Sequence, residues 1–549
     1  MGRHGQAPAG TGRGRAGAGS YAPGMTATLD TAAAHPAPPR PPALHWRTRI
    51  LPPTDGRGGW LATLAVGLLA GLLRVVRLDL PHGRIFDEIY YVCDAQNLLR
   101  FGVEVATAGG DPGVQARCEP TGDAGFIVHP PLGKWAISLG IRAFGTNEFG
   151  WRIAAAVFGT LMVVVLVRVA RRMTGSTTLA CLAGLLLTLD GLHFVQSRVG
   201  MLDIFLAFWV LAAFACLVAD RDAVRTSLAL SDDDNLLGHG PRLGLRAWRV
   251  LAGVCLGAAV ATKWSALYYV AVLVLLAFAW EVGARRTAGV RAPVRATIVR
   301  SAAPLLGLLI VLPAALYLLS WAGWFLSDDG YDRDWAGRPG NEPGTLAGLV
   351  PESLRSWWQY HREIFGFHDR LRQRHAYQSH PAGWLLLARP VSYYYPPGIG
   401  PGQYGCQSQS CSREVLAIGT PAIWWAGVAV LLAMLWLWVT RRDWRAAAIL
   451  ALVLTAIVPW VRDDLDGRTM FLFYVLPAAP VLCLGLALVA GWAVGGPQAS
   501  LSRRRVAWGA TAAYLGLVAA NFVWLYPVLA AQTLPYAAWL DRMWFSSWV

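Results

Sequence analysis

Lysine is almost missing from this chain: of 48 Lys and Arg residues, only Lys134 and Lys263 are lysine. A genome-wide preference for arginine accounts for the scarcity. A need for a compact ammonium instead of a planar guanidinium would account for the two that remain. Charge is scarce as well. Asp, Glu, Lys and Arg make up 15% of 549 residues, against 55% hydrophobic residues and 26 Trp. With a mean hydropathy of +0.41, that balance excludes a soluble domain, whose core cannot hide so much apolar surface. Cysteines number eight and are scattered, which excludes a disulfide scaffold, and no spacing matches a metal site. Cys181, Cys216, Cys255 and Cys483 lie in apolar blocks and read as small buried hydrophobes. Cys406 and Cys411 close a short disulfide if their polar stretch faces an oxidising compartment, and Cys93 with Cys118 is a second candidate pair. The first apolar block starts near Trp60, too late for a cleavable leader.

What is present are apolar blocks of about 17–22 residues, the length that crosses a hydrocarbon core. Eleven spans are expected, at about 59–77, 150–170, 177–191, 201–219, 248–262, 264–281, 301–321, 420–440, 445–461, 470–494 and 506–526. Residues 1–58, rich in Gly, Ala, Pro and Arg, read as a disordered cytoplasmic tail. Starting there, the inner loops carry Arg168, Arg171 and Arg172; Arg285, Arg286, Arg291 and Arg295; and Arg503 to Arg505. This is a positive-inside pattern. It assigns the net charge of +15 to membrane topology and not to nucleic-acid binding, and it leaves the C-terminal tail, 527–549, outside. Two outer segments are long, 78–149 and 322–419. A transporter keeps its polar groups at the bilayer midplane; here they collect at the outer ends of spans, which points to chemistry at the outer surface.

Asp87 and Glu88 follow the first span, in the first turn of an expected amphipathic helix on the membrane. Acids there complement the helix dipole, and their place at the membrane face makes them candidate catalytic groups. Farther on, Lys134, Ser138 and Arg142 fall on one helical face, either snorkelling or turned toward a lipid phosphate. In the central loop, His361, His368 and His375 recur every seven residues, an interval that aligns them on one helix; no carboxylate pattern supports a metal there. Arg462 to Arg468 reads as a solvated turn.

Five stretches carry a resemblance: Asp87-Glu88, His129-Pro-Pro-Leu-Gly-Lys134, Gln196-Ser-Arg198-Val-Gly-Met-Leu-Asp203, Thr262-Lys263-Trp-Ser-Ala-Leu-Tyr268 and Arg468-Thr-Met-Phe-Leu-Phe-Tyr-Val-Leu-Pro477. In this order they resemble the protein O-mannosyltransferases of glycosyltransferase family 39. Residues 322–419 are too few for the MIR domain of the eukaryotic members, so the resemblance is to a bacterial-type enzyme. It implies an all-α polytopic membrane protein of the GT-C fold, with a catalytic domain over 59–526. It implies a polyprenyl-phosphate-mannose donor and secreted acceptor proteins arriving from the translocon; membrane lipids surround the protein. Beyond the lipid-linked donor it fixes no cofactor, and it leaves the need for a divalent metal open without indicating one.

Carried over residue by residue, Asp87 is the expected general base and Glu88 a supporting acid. A Ser or Thr hydroxyl is a poor nucleophile until a base takes its proton, and direct displacement at the anomeric carbon inverts it. His129, Lys134, Arg152, Arg198, Lys263 and Arg468 are the expected phosphate and sugar contacts, since positioned cations stabilise a leaving phosphate best where water is excluded. A cation deep in a span costs about 2.5–3.5 kcal/mol, so each needs an anionic partner or an interfacial escape; Asp203 is the expected partner of Arg198. Two other readings stand beside this one. The first is a GT-C transferase with a lipid or cell-wall glycan acceptor. The second is a transporter of lipid-linked sugars, for which no internal repeat speaks.

Overall fold

The computed structural model describes residues 56–107, 118–231, 238–244, 246–344 and 346–549. The expected tail therefore lies, up to residue 55, outside the described residues. The chain is mostly helical. Helices α1 (Arg57–Val75), α2 (Glu88–Phe101) and α3 (Leu132–Phe144) lead into α4 (Glu148–Thr174), α5 (Thr177–Thr188), α6 (Asp203–Ala229), α7 (Ala247–Val260) and α8 (Ala266–Thr287). Helix α9 (Pro293–Ser320) contains a π-helical turn at Gly307–Val311. Helices α10 (Glu352–Arg370), α11 (Pro421–Arg441), α12 (Trp444–Thr455), α13 (Val458–Leu465), α14 (Ala478–Val494) and α15 (Leu501–Leu529) follow. Three small antiparallel pairs form outside the bundle helices: β1 (Val105–Thr107) with β2 (Pro120–Ala124), β3 (Val391–Tyr394) with β5 (Val415–Ala417), and β4 (Cys411–Arg413) with β6 (Thr533–Pro535) of the C-terminal segment.

Local chemistry sets the helix ends. Asn147 accepts the N–H of Gly150 at 2.9 Å and starts α4; Gly175, at φ +70°, ends it. Ser176 then caps α5 and Asp443 caps α12. The exposed faces are apolar. On α1, Leu61, Leu64, Leu68 and Leu72 are exposed, while Thr63, Val66, Gly67, Ala70 and Arg74 are buried. Large apolar side chains outward and small ones inward is the pattern of a helix between lipid and protein. Among the described residues, eight helices are long and apolar enough to cross a membrane. The segments expected at 177–191, 248–262 and 470–494 form the shorter apolar helices α5, α7 and α14. The chain is a multi-pass membrane protein.

Two fastenings bear on the site. At one end of the bundle, Asp220 and Glu281 hold Arg246 and Arg249 at 2.5–2.9 Å, tying α6, α7 and α8 together. At the other end, both candidate disulfides are formed, Cys93–Cys118 and Cys406–Cys411. The segment expected as a C-terminal tail is folded. β6 pairs with β4, the Trp539 indole donates to Glu414 at 2.7 Å, and the Trp548 indole donates to the Leu387 carbonyl at 2.8 Å.

Candidate active site

The site is built on a buried arginine. Arg152, in the first turns of α4, is fully buried, and its guanidinium grips Glu88 bidentately at 2.8 and 2.9 Å. It also donates to the carbonyls of Pro81 at 2.9 Å and Gly83 at 3.0 Å. Glu88 accepts two backbone N–H groups besides, from Gly200 at 2.8 Å and Ile85 at 3.0 Å. Its carboxylate is saturated and buried, so it organises the connection from α1 to α2. Within that connection Phe86 adopts φ +49°, a conformation that costs a bulky residue energy and persists only where its surroundings enforce it. Here the Phe86 ring stacks on Tyr393 at 4.5 Å and meets Phe473 edge-on at 5.8 Å. The next residue, Asp87, faces a cavity.

That cavity measures about 2510 Å³ and is lined by Asp87, His129, Lys134, Lys263 and Arg468, with Tyr91, Asp94, His368 and Tyr474 among them. Lys263, in the turn between α7 and α8, holds both oxygens of Asp203 at 2.9 and 3.1 Å and lies 4.9 Å from the Tyr474 ring centroid. Arg468 donates to the His368 carbonyl at 3.1 Å, pairs with Asp463 at 3.3 Å and covers Trp460 at 5.4 Å. His129 stacks on His368 at 5.2 Å. The His368 Nε2–H donates to the Val128 carbonyl at 2.8 Å. Away from these groups the wall turns apolar, with Leu267 and Val270 of α8 and Ile310, Ala314 and Leu318 of α9. One chamber thus joins a charged end to an apolar flank.

The charges are tuned. Burial pushes Asp87 up to about 6; Lys263 works against that rise, Asp203 adds to it, and a hydrogen bond from the Tyr91 hydroxyl favours the carboxylate. Burial also opposes charge on Lys263 and Lys134. Asp203, Tyr474 and Asp87 together outweigh it at Lys263, and Asp94 with Glu104 outweighs it at Lys134, so both ammonium pKa values are raised. Burial holds His129 well below its ordinary range, and Lys263 adds to the effect. The chamber therefore offers a carboxylate that exchanges a proton near neutrality, a fixed ammonium and neutral imidazoles.

Five of the eight expected site residues meet in the chamber: Asp87, His129, Lys134, Lys263 and Arg468. Glu88, Arg152 and Arg198 lie outside its lining. Arg198 donates to the carbonyls of Arg74, Val76 and Arg77 at 2.6–2.8 Å and seals the end of α1. Asp203 pairs with Lys263 and not, as expected, with Arg198. The expected cationic face of α3 is not formed. Lys134 is neutralised by Asp94 at 3.2 Å and Glu104 at 3.1 Å, while Arg142 points outward. His361 and His368 lie on α10, and His375 lies past its end, so the three share no helix. The turn at 462–468 is only partly solvated, since Asp463 and Arg468 line the chamber. Among the described residues no group of three or more His, Cys, Asp or Glu is placed to hold a metal ion. Sequence reading missed Tyr91 and Asp94. Their signal was spacing: at four and seven residues past Asp87 they share its helical face.

Residues 124–322 match the family described as dolichyl-phosphate-mannose-protein mannosyltransferase. Residues 353–548 match the C-terminal four TMM region of protein-O-mannosyltransferase. The polyprenol-phosphate-mannose–protein mannosyltransferase of Mycolicibacterium smegmatis is 37% identical over 507 residues, covering 90% of this chain and 94% of its own. The protein of the same name from Corynebacterium glutamicum is 33% identical, covering 93% and 96%. The S. cerevisiae protein O-mannosyltransferase Pmt1-Pmt2 complex bound to the sugar donor shares the fold, with a TM-score of 0.69 at 14% identity over 90% of this chain and 93% of that one. By fold and by sequence similarity along nearly its whole length, this chain belongs to the polyprenol-phosphate-mannose–protein mannosyltransferase family.

Proposed function

We propose that this chain transfers mannose from polyprenyl-phosphate-mannose to Ser or Thr hydroxyls of secreted proteins as they leave the translocon. The observation that carries the reading is Asp87 at the charged end of a chamber whose flank is apolar, with Lys263 and Arg468 in the same wall. The prenyl chain lies against α8 and α9, and the phosphate sits by Lys263 and Arg468. The acceptor oxygen attacks the anomeric carbon from the side opposite the phosphate. Its proton passes to Asp87 as the new carbon–oxygen bond forms and the bond to phosphate breaks, leaving polyprenyl phosphate and inverting the centre. Lys263 and Arg468 meet the charge that develops on the leaving oxygen. His129, held neutral, hydrogen-bonds the sugar or phosphate. Lys134 is committed to Asp94 and Glu104 and holds the wall in place. Glu88, Arg152 and Arg198 act through the connection that carries Asp87.

The arginine-rich connections at the end of the bundle opposite Asp87 support a cytoplasmic side for that end. The chamber and C-terminus are then extracytoplasmic, and both disulfides stand on the oxidising side.

Purified protein given polyprenyl-phosphate-mannose and a Thr-containing peptide tests the reaction. The expected product is a mannosylated peptide with the anomeric configuration opposite to that of the donor. Retained configuration would contradict direct displacement. Transfer only to lipid or cell-wall glycan would contradict the acceptor class.

A further inference from the structure

A second cavity, of about 690 Å³, opens at the end of the bundle opposite Asp87. Helix α4 connects the two sites. Its first turns hold Arg152 against Glu88, and its last residue, Thr174, lines the second cavity. Arg152 and Thr174 are 22 residues apart on this helix, a separation of roughly 33 Å. Four arginines line this cavity, Arg441, Arg445, Arg503 and Arg504, against one acid, Asp443. Asp443 is taken: it holds Arg445 at 2.6–3.2 Å and caps α12. Among the described residues no carboxylate pairs with Arg441, Arg503 or Arg504. Arg503 is pinned by donation to the carbonyls of Trp492 and Ala493 at 2.9 Å, and Arg441 lies over Trp436 at 5.4 Å. Trp436 packs on Trp492, which is half exposed, with ring centroids 5.7 Å apart. The floor is apolar, with Met434, Leu437 and Leu488.

Unneutralised guanidinium groups hold phosphate esters. Paired tryptophans mark the headgroup level of a bilayer, and an apolar floor beside them suits the start of acyl chains. Basic pockets between spans at one membrane face are the kind of site that takes anionic lipid headgroups. We infer that this cavity binds the phosphate headgroup of an anionic phospholipid in the leaflet opposite the chamber. The inference is independent of the transfer reaction.

The test is native mass spectrometry of the full chain released from bilayer discs of equal phosphatidylglycerol and phosphatidylcholine. The expected result is retained phosphatidylglycerol and little phosphatidylcholine. Arg441→Gln/Arg504→Gln should lower that retention by about tenfold or more, with the melting temperature unchanged. Arg291→Gln, an exposed arginine outside the cavity, should leave it as in the parent. If the double variant is not recovered, Arg504→Gln alone is read the same way. Equal retention of both lipids, or unchanged retention in the variants, would overturn the inference. Displacement of the lipid by millimolar glycerol phosphate would assign the site to a soluble phosphate ester and overturn the lipid reading.

Discussion

Asp87 and Glu88 are adjacent, yet their surroundings separate them completely. Among the described residues, Glu88 is the sole carboxylate bonded to the fully buried Arg152. Glu88→Gln would leave that guanidinium uncompensated, at a cost of about 3–5 kcal/mol. The expected outcome is a lowered melting temperature and poor recovery from membranes. For Asp87 the sign is opposite. Its pKa is raised from 3.8 to about 6, so its contribution to stability is present below pH 3.8 and lost as pH rises through 6. Asp87→Asn is therefore expected to melt no lower than the parent at neutral pH. As a base, Asp87 must be ionised, so kcat/KM should fall about tenfold per pH unit below pH 6. Lys263 lowers the Asp87 pKa, and Lys263→Gln should move that acid limb to higher pH. A limb that stays in place would detach Lys263 from Asp87. The acidic pair was legible as a short signal after a span. Its division of labour was not, because Arg152 lies 64 residues away in sequence. The choice of Lys263 over Arg198 as partner of Asp203 was hidden for the same reason: spacing of five residues suggested a contact that the turn at 261–265 supplies from 60 residues away.

The apolar helices were legible because lipid imposes apolar residues along a whole helix. Internal irregularities were not. Helix α9 contains a π turn at Gly307–Val311, and a Cβ on Gly253 of α7 would lie 2.0 Å from the Leu308 carbonyl oxygen inside it. Gly253→Val should force these helices apart, at about 1–3 kcal/mol or more for overpacking, read as a lower melting temperature. Because α9 lines the chamber, weaker donor binding should accompany it. In the long connections, helical periodicity located α2 and α3 but not what they face, and the seven-residue spacing of His361, His368 and His375 overran the end of α10. The expected amphipathic helix is present, and α2 buries Glu88, Tyr91, Val92 and Cys93 against the protein. Arg152 and Lys134, from other segments, hold the Glu88 and Asp94 side chains of α2, and pattern alone does not carry that information.

At the scale of the whole molecule, the bundle separates two chemistries: a tunable carboxylate and fixed cations at one end, and at the other a cavity where, among the described residues, Arg441, Arg503 and Arg504 have no carboxylate partner. The proposed orientation rests on that asymmetry. Alkaline phosphatase fused after Val549 is expected to be active and fused before Arg57 inactive; the reverse result would invert the topology. The claim on which all else rests is that Asp87 takes the acceptor proton. It is tested most directly by measuring transfer from polyprenyl-phosphate-mannose to a Thr peptide with purified Asp87→Asn protein at neutral pH. The account predicts a loss in kcat of about 100- to 10,000-fold, with donor binding and melting temperature kept. Transfer at the parent's rate would contradict it.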